Sequence, residues 1–197
     1  MRKAAVVCCW VILCVLFASA PARAGADFVI NIFPASLLIN VDDTFAVMED
    51  DGTRLSVSAM YFMPNISAGI GFDLGCFFVD LTAGAGLVYN ESFRSFLAQA
   101  QVATMYAVTD SLKIGPHAGI ISFPNPEWIE RTELVMDGSR GWIAGMEMTM
   151  GDRIMYVASA DYVSTTFDML TGPGLSSESD ELKMSAVVVQ IGVRGEF

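Results

Sequence analysis

The chain has 197 residues, with 11 basic against 22 acidic side chains, one histidine and four cysteines. A formal net charge of −11 argues against a nucleic-acid binder, whose affinity comes largely from Lys and Arg on phosphates, and 53% apolar residues argue against a disordered acidic chain. Cysteine is too sparse for a disulfide-stapled mini-protein, and the mean hydropathy of +0.49 describes one greasy domain with no apolar run after the N-terminus long enough for a membrane helix.

Arg2 and Lys3 form a short positive region, and the apolar stretch Ala4 to Ala18 follows it. Ala22-Arg23-Ala24 then places small residues at both positions that a signal peptidase reads. Residues 1–24 are therefore expected to be a secretory signal peptide, cleaved after Ala24. An uncleaved anchor would need about 20 apolar residues, more than this run supplies. A lipoprotein site at Cys14 is opposed by bulky Leu13 just before it. Cys8, Cys9 and Cys14 lie within the leader, so the exported domain 25–197 keeps only Cys76 and is expected to hold no internal disulfide.

The exported domain alternates. Leu55, Val57, Ala59, Tyr61 and Met63 are apolar at every second position, and Ile66, Ala68, Ile70, Phe72 and Leu74 repeat the pattern. Phe77 to Tyr89, Ala98 to Val108, Leu112 to Ile120, Trp142 to Met150, Ile154 to Tyr162 and Val187 to Phe197 continue it. A period of two is strand geometry. The second face is mostly Gly, Ser, Ala and Thr with sparse charge, where a soluble sandwich would carry many Lys and Glu. Aromatic residues fall near strand ends, at Tyr61, Phe77, Tyr89, Tyr106, Trp142, Tyr156, Tyr162 and Phe197, as in interfacial girdles. The expected fold is all-β, an antiparallel up-and-down transmembrane barrel of about eight strands, with its apolar face toward lipid.

Connection lengths support this reading. Gly75-Cys76, Thr109-Asp110-Ser111 and Gly151-Asp152-Arg153 read as tight turns, whereas Asn90 to Ser95, Pro124 to Arg140 and Phe167 to Leu182 read as longer loops. Short turns at one end and long loops at the other is the outer-membrane arrangement. Pro64-Asn65 leaves two alternatives. As a hairpin it starts the first strand near Arg54, and as a bulge it makes Arg54 to Leu74 one strand, with Phe28 to Val41 as the first strand and Asp42 to Thr53 as an outer loop. Both give eight strands.

Over essentially the whole exported domain the chain resembles the small outer-membrane β-barrel proteins of Gram-negative bacteria. Val187, Val189, Ile191 and Val193 ending in Phe197 are similar to the C-terminal signal by which the barrel assembly machinery recognises its clients. The resemblance thus implies an assembly role for Val193 and Phe197, and the assembly machinery as a partner during biogenesis. Gly195 departs from it, since a bulky apolar residue is more usual two places before the terminal aromatic.

Any site has to lie on the inward face, which carries Asp73, Asp80, Gln99, Gln101, Lys113, His117, Glu147, Arg153, Asp161, Gln190, Arg194 and Glu196. An eight-stranded barrel is narrow enough for side chains to fill, and charges between low-dielectric walls must be paired or hydrated. A polar network plugging the lumen is the expectation. A path for solute through the space left by lumen glycines is the alternative.

His117 has no accompanying serine motif and is flanked on its face by Gly115 and Gly119, so no catalytic residue, cofactor or metal site is expected. The acidic clusters Asp42-Asp43, Glu49-Asp50-Asp51 and Glu178 with Asp180-Glu181 match no calcium loop and read as solvated loop charge, with divalent ions at the lipopolysaccharide surface as the sharper reading. Asn125 as a cap and Pro126 at the first turn predict a short helix over Pro126 to Met136, with Trp128 and Ile129 packed on the barrel rim or presented to a partner. The leading expectation is a non-enzymatic outer-membrane barrel with a structural or surface-interaction role through its loops, in contact with outer-membrane lipid and lipopolysaccharide. A narrow channel for small or apolar solutes is the runner-up. The extracellular partner is not specified by the sequence.

Overall fold

A computed structural model of the chain describes residues 25–41, 46–49, 54–56, 60–129, 135–170, 175–176 and 181–197. The leader, and with it the expected cleavage after Ala24, lies outside the described residues.

Eight strands form the wall. They are β1 (Gly25–Asn40), β2 (Met60–Phe62 continued by Asn65–Asp73), β3 (Phe77–Tyr89), β4 (Phe93–Thr109), β5 (Leu112–Phe123), β6 (Ser139–Gly151), β7 (Ile154–Leu170) and β8 (Glu181–Glu196). Each pairs antiparallel with the next in sequence, and β8 returns to β1, so the sheet closes on itself. At the seam the backbones of Phe28 and Phe197 exchange two hydrogen bonds, at 2.9 and 3.0 Å. Closure removes the edges of the barrel wall itself.

The first strand is the one beginning in the Phe28 region, and the chain accommodates Pro64 without a turn. Phe62 faces Tyr89 and Asn65 faces Gly86, one unbroken register across Pro64. The extra residue sits in β1 instead. Against β8 the register shifts between Ile32 and Ala35, and against β2 the pairs Phe33–Asn65 and Leu37–Phe62 are offset in the same sense. Pro34, with no N–H to donate, lies within that bulge. The segment Arg54–Ser56 is not part of β2; it pairs with Ala46–Glu49, which also pairs with Leu175–Ser176, in a small separate sheet.

The tight turns lie where expected. Gly75 adopts a φ of 91° and its N–H donates to Asp73 Oδ1 at 2.8 Å. Two loop expectations are corrected. Between Tyr89 and Phe93 only three residues leave the strands, because Asn90 Oδ1 accepts from the N–H groups of Ser92 and Phe93 and folds the chain back at once. The Pro126 to Met136 segment is not a helix at either described end. Asn125 has a φ of 53°, which is not a cap conformation, and Glu127–Trp128 pairs with Phe93–Arg94. Val135–Met136 pairs with Met169 and Leu170. At this end β4 extends past its last β5 pair and β7 past its last β6 pair, and the connection pairs with those extensions as strand.

Outward positions carry Ile32, Ile66, Ile70, Leu81, Val102, Ile120, Ile154 and Ile191, all substantially exposed. Such a belt is what lipid covers in a transmembrane barrel. Stacked or tilted aromatic pairs mark its margins, Phe62–Tyr89 and Trp142–Tyr162 toward the long loops and Phe77–Tyr106 toward the turns. Tyr61 is no girdle residue. It is fully buried in the lumen, because odd positions point inward along the whole of β2.

Candidate functional site

The inward rows converge on a narrow axis filled in three layers. Nearest the turns, Arg194 on β8 reaches across to β3, where Nη1 lies 2.5 Å from Asp80 Oδ2. Its other contacts are Glu147 at 3.7 Å and Glu196 at 2.9 Å. Arg194 is 1% exposed, so this cation depends wholly on its carboxylates for charge compensation. Lys113 on β5 approaches Glu196 at 3.4 Å and sits 3.8 Å above the Phe78 ring.

The second layer is a belt of hydrogen bonds. Gln101 donates to Gln99, Gln99 to Asn65, Asn65 to Gln190, and Gln190 to Asp161 Oδ2. Ser159 donates to the same oxygen at 2.8 Å. On the other side of the carboxylate, His117 Nε2 lies 2.6 Å from Asp161 Oδ1, although the ring N–H is poorly aimed at it. That contact spans from β5 to β7 over Gly145 of β6, which is paired with both residues. A Cβ at Gly145 would collide with Asp161 Oδ1 and the Ala160 carbonyl, so glycine here makes room for the crossing. Gly71 does the same for Asp80, whose Oδ1 would lie 2.7 Å from an added Cβ. At Gly71 and Gly145 the space that lumen glycines suggested is taken by neighbouring side chains.

Toward the long loops the axis is apolar. Leu38, Tyr61, Val88, Phe93, Phe123, Ile143, Phe167 and Met184 bring one residue or more from every strand into one buried cluster. The Phe93 ring meets Tyr61 and Phe167 edge-on at 5.7 and 6.0 Å, and Phe123 meets Phe167 at 5.7 Å.

Of the twelve lumen residues read from the sequence, ten stand in the two polar layers: Asp80, Gln99, Gln101, Lys113, His117, Glu147, Asp161, Gln190, Arg194 and Glu196. Two do not. Asp73 closes the β2–β3 turn through Gly75, and Arg153 is exposed in the β6–β7 turn. Both are strand-end residues, where inward and outward lose meaning. Val193 and Phe197 face outward beside the seam, 42% and 76% exposed. The sequence reading missed Asn65 and Ser159 in the belt and the whole apolar layer. Parity continued through Pro64 would have placed Tyr61, Met63 and Asn65 on one inward row.

Ser159, His117 and Asp161 are close, but the serine donates to the carboxylate and not to the imidazole. The nucleophile–base contact that acyl transfer needs is therefore not made. Among the described residues no group of three His, Cys, Asp or Glu is placed to hold a metal. Tyr61 Oη, Glu147 Oε1 and Thr149 Oγ1 are buried without a hydrogen-bond partner among the described residues.

A closed ring of eight antiparallel strands with an apolar outer belt and a filled lumen defines the fold of a small outer-membrane β-barrel. Among solved structures the chain is similar to outer membrane protein AlkL, determined by solid-state NMR in DMPC lipid bilayers. The TM-score is 0.51 at 12% sequence identity, over 90% of this chain and 94% of that one. No protein-family model matches the chain, and no curated protein does.

Proposed function

We infer that the protein is a closed, non-enzymatic barrel of the outer membrane, exported behind a cleaved leader, whose role is structural or carried by its extracellular loops. The observation that carries this is the occupied lumen. Rings from β2, β4, β5 and β7 meet on the axis at one end, and Arg194 with its three carboxylates crosses it at the other. A solute path would have to break both layers, one of them made of paired charges that are costly to separate. His117 and Asp161 are buried at 5% and 4% exposure, and the serine beside them does not bond the imidazole, which supports the non-enzymatic reading. The apolar belt fits outer-membrane lipid, and the outward C-terminal row fits recognition by the assembly machinery.

Planar-bilayer recording of the folded protein tests it. The expected record is flat, without discrete openings. Reproducible single-channel steps would replace the closed barrel with the narrow channel for small or apolar solutes. Heat-modifiable gel migration, folded against boiled, checks the barrel independently.

A further inference from the structure

The outer surface of the wall carries a basic row at the long-loop end. Arg140 is the first outward residue of β6, exposed, one outward step beyond Trp142. Its ladder neighbours are Ser122 on β5 and Thr166 on β7, and Thr166 pairs in turn with exposed Lys183 on β8. Barrel strands tilt by about 35–45°, so this row climbs around the rim, with the backbones of Arg140 and Lys183 about 9–10 Å apart across β7. Among the described residues neither Arg140 nor Lys183 is held in an ion pair, whereas Arg94, Lys113 and Arg194 are paired with Glu127, Glu196 and Asp80. Asp168, the next outward residue of β7, pairs with neither cation. Among the described residues Arg140 and Lys183 thus form a pair of neighbouring exposed cations with no ion-pair partner.

Directly against Arg140 lies a groove of about 470 Å³, lined also by Ala98, Ala100, Ile120 and Ser122. The alanines occupy two successive outward positions of β4 between Phe96 and Val102, and their small side chains leave the depression. It opens on the face that hydrocarbon covers. An apolar groove running up to a guanidinium has the polarity of an acyl chain ending in an anionic oxygen group, of which phosphate is the one abundant in a membrane leaflet.

The geometry points to a phosphate-bearing lipid of the outer leaflet, one acyl chain along Ala98, Ala100 and Ile120, its phosphate on Arg140, and Lys183 as the second cation. This rests on the outer-membrane reading above and adds the lipid class and its site. A guanidinium suits the contact because its planar fork engages two phosphate oxygens at once.

Bromolipid quenching of Trp142 reads it directly, in a Trp128→Phe background that leaves Trp142 as the tryptophan of the exported domain. The folded protein is placed in dioleoylphosphatidylcholine vesicles containing dibrominated phosphatidic acid or, at equal mole fraction, dibrominated phosphatidylcholine. Phosphatidic acid should be preferred, and the preference should fall about fivefold for each cation lost in Arg140→Ala and Lys183→Ala. It should survive Arg140→Lys with Lys183→Arg and be displaced by unlabelled diphosphoryl lipid A. Equal quenching by both lipids in the parent, or an undiminished preference in the double alanine variant, overturns the site. Abolition of the preference by millimolar inorganic phosphate overturns the lipid assignment. Heat-modifiable migration certifies that each variant is folded. Conductance is read separately, so an open lumen would sink the closed-barrel reading while leaving the lipid preference standing, and the converse holds.

Discussion

Toward the loops the lumen is filled by Phe93, Phe123, Phe167 and their apolar neighbours, while toward the turns the same strands present Arg194, Asp80, Glu147 and Glu196. β6 shows the change on a single row, running inward from Ile143 past Gly145 to Glu147 and Thr149. The apolar layer is held by contacts that are non-directional and roughly additive with area, so it can lose one member and keep the rest. The charged layer has no such grading. One guanidinium balances three carboxylates, and without it Asp80 and Glu147 become unpaired buried charges, while Glu196 keeps Lys113. The two halves close the same barrel, one by volume and one by charge.

The largest test of that contrast is Arg194→Met. It keeps much of the side-chain length and removes the charge, so the expected loss is about 3–5 kcal/mol, the usual result of orphaning one side of a buried ion pair. Replacing Asp80 and Glu147 by apolar residues in the same background should recover most of it. Denaturant unfolding of the barrel in lipid vesicles measures both. A single-variant loss below about 1 kcal/mol would mean that these carboxylates behave as solvated groups, and the contrast between the halves would fail.

Much of this was legible in the residues. Alternation from Phe77 to Tyr89 and from Val187 to Phe197 marks strands whatever their partners, and one-step parity assigns Asp80, Glu147, Asp161 and Arg194 to the lumen. Partnership was not legible. Arg194 and Asp80 are 114 residues apart, and the contact follows from ring closure and register, which no local pattern encodes. Tyr61 and Met63 were misread because their apolar character suggested the outer face, whereas the loop-side lumen is itself apolar. The predicted helix failed for another reason. Helix signals at Asn125 and Pro126 are worth little against the strand pairing that the extended ends of β4 and β7 offer to the connection.

Gly145→Ala comes next in size. The added Cβ meets Asp161 Oδ1 and the Ala160 carbonyl, so the His117–Asp161 crossing or the wall itself must shift, at a cost of about 1–3 kcal/mol. Gly138→Ala is the matched control, since its Cβ finds nothing closer than 3.5 Å. It should stay within about 0.5 kcal/mol of the parent in the same unfolding assay. Equal effects at the two glycines would show that the belt yields as readily as a loop.

The smallest effects divide the halves most finely, because one strand supplies both sites. Ile143→Val removes a methyl group from the closed apolar layer and should cost about 0.5–1.5 kcal/mol. Thr149→Val, six residues along the same inward row, removes a hydroxyl that has no partner among the described residues and replaces it with a methyl of similar size. Its expected effect is between zero and a stabilisation of about 1 kcal/mol, because an unsatisfied buried hydroxyl already carries its desolvation penalty. If Thr149→Val instead destabilises as much as Ile143→Val, that hydroxyl has a partner outside the protein. The charged layer would then be hydrated rather than dry, and Arg194 would owe part of its compensation to water.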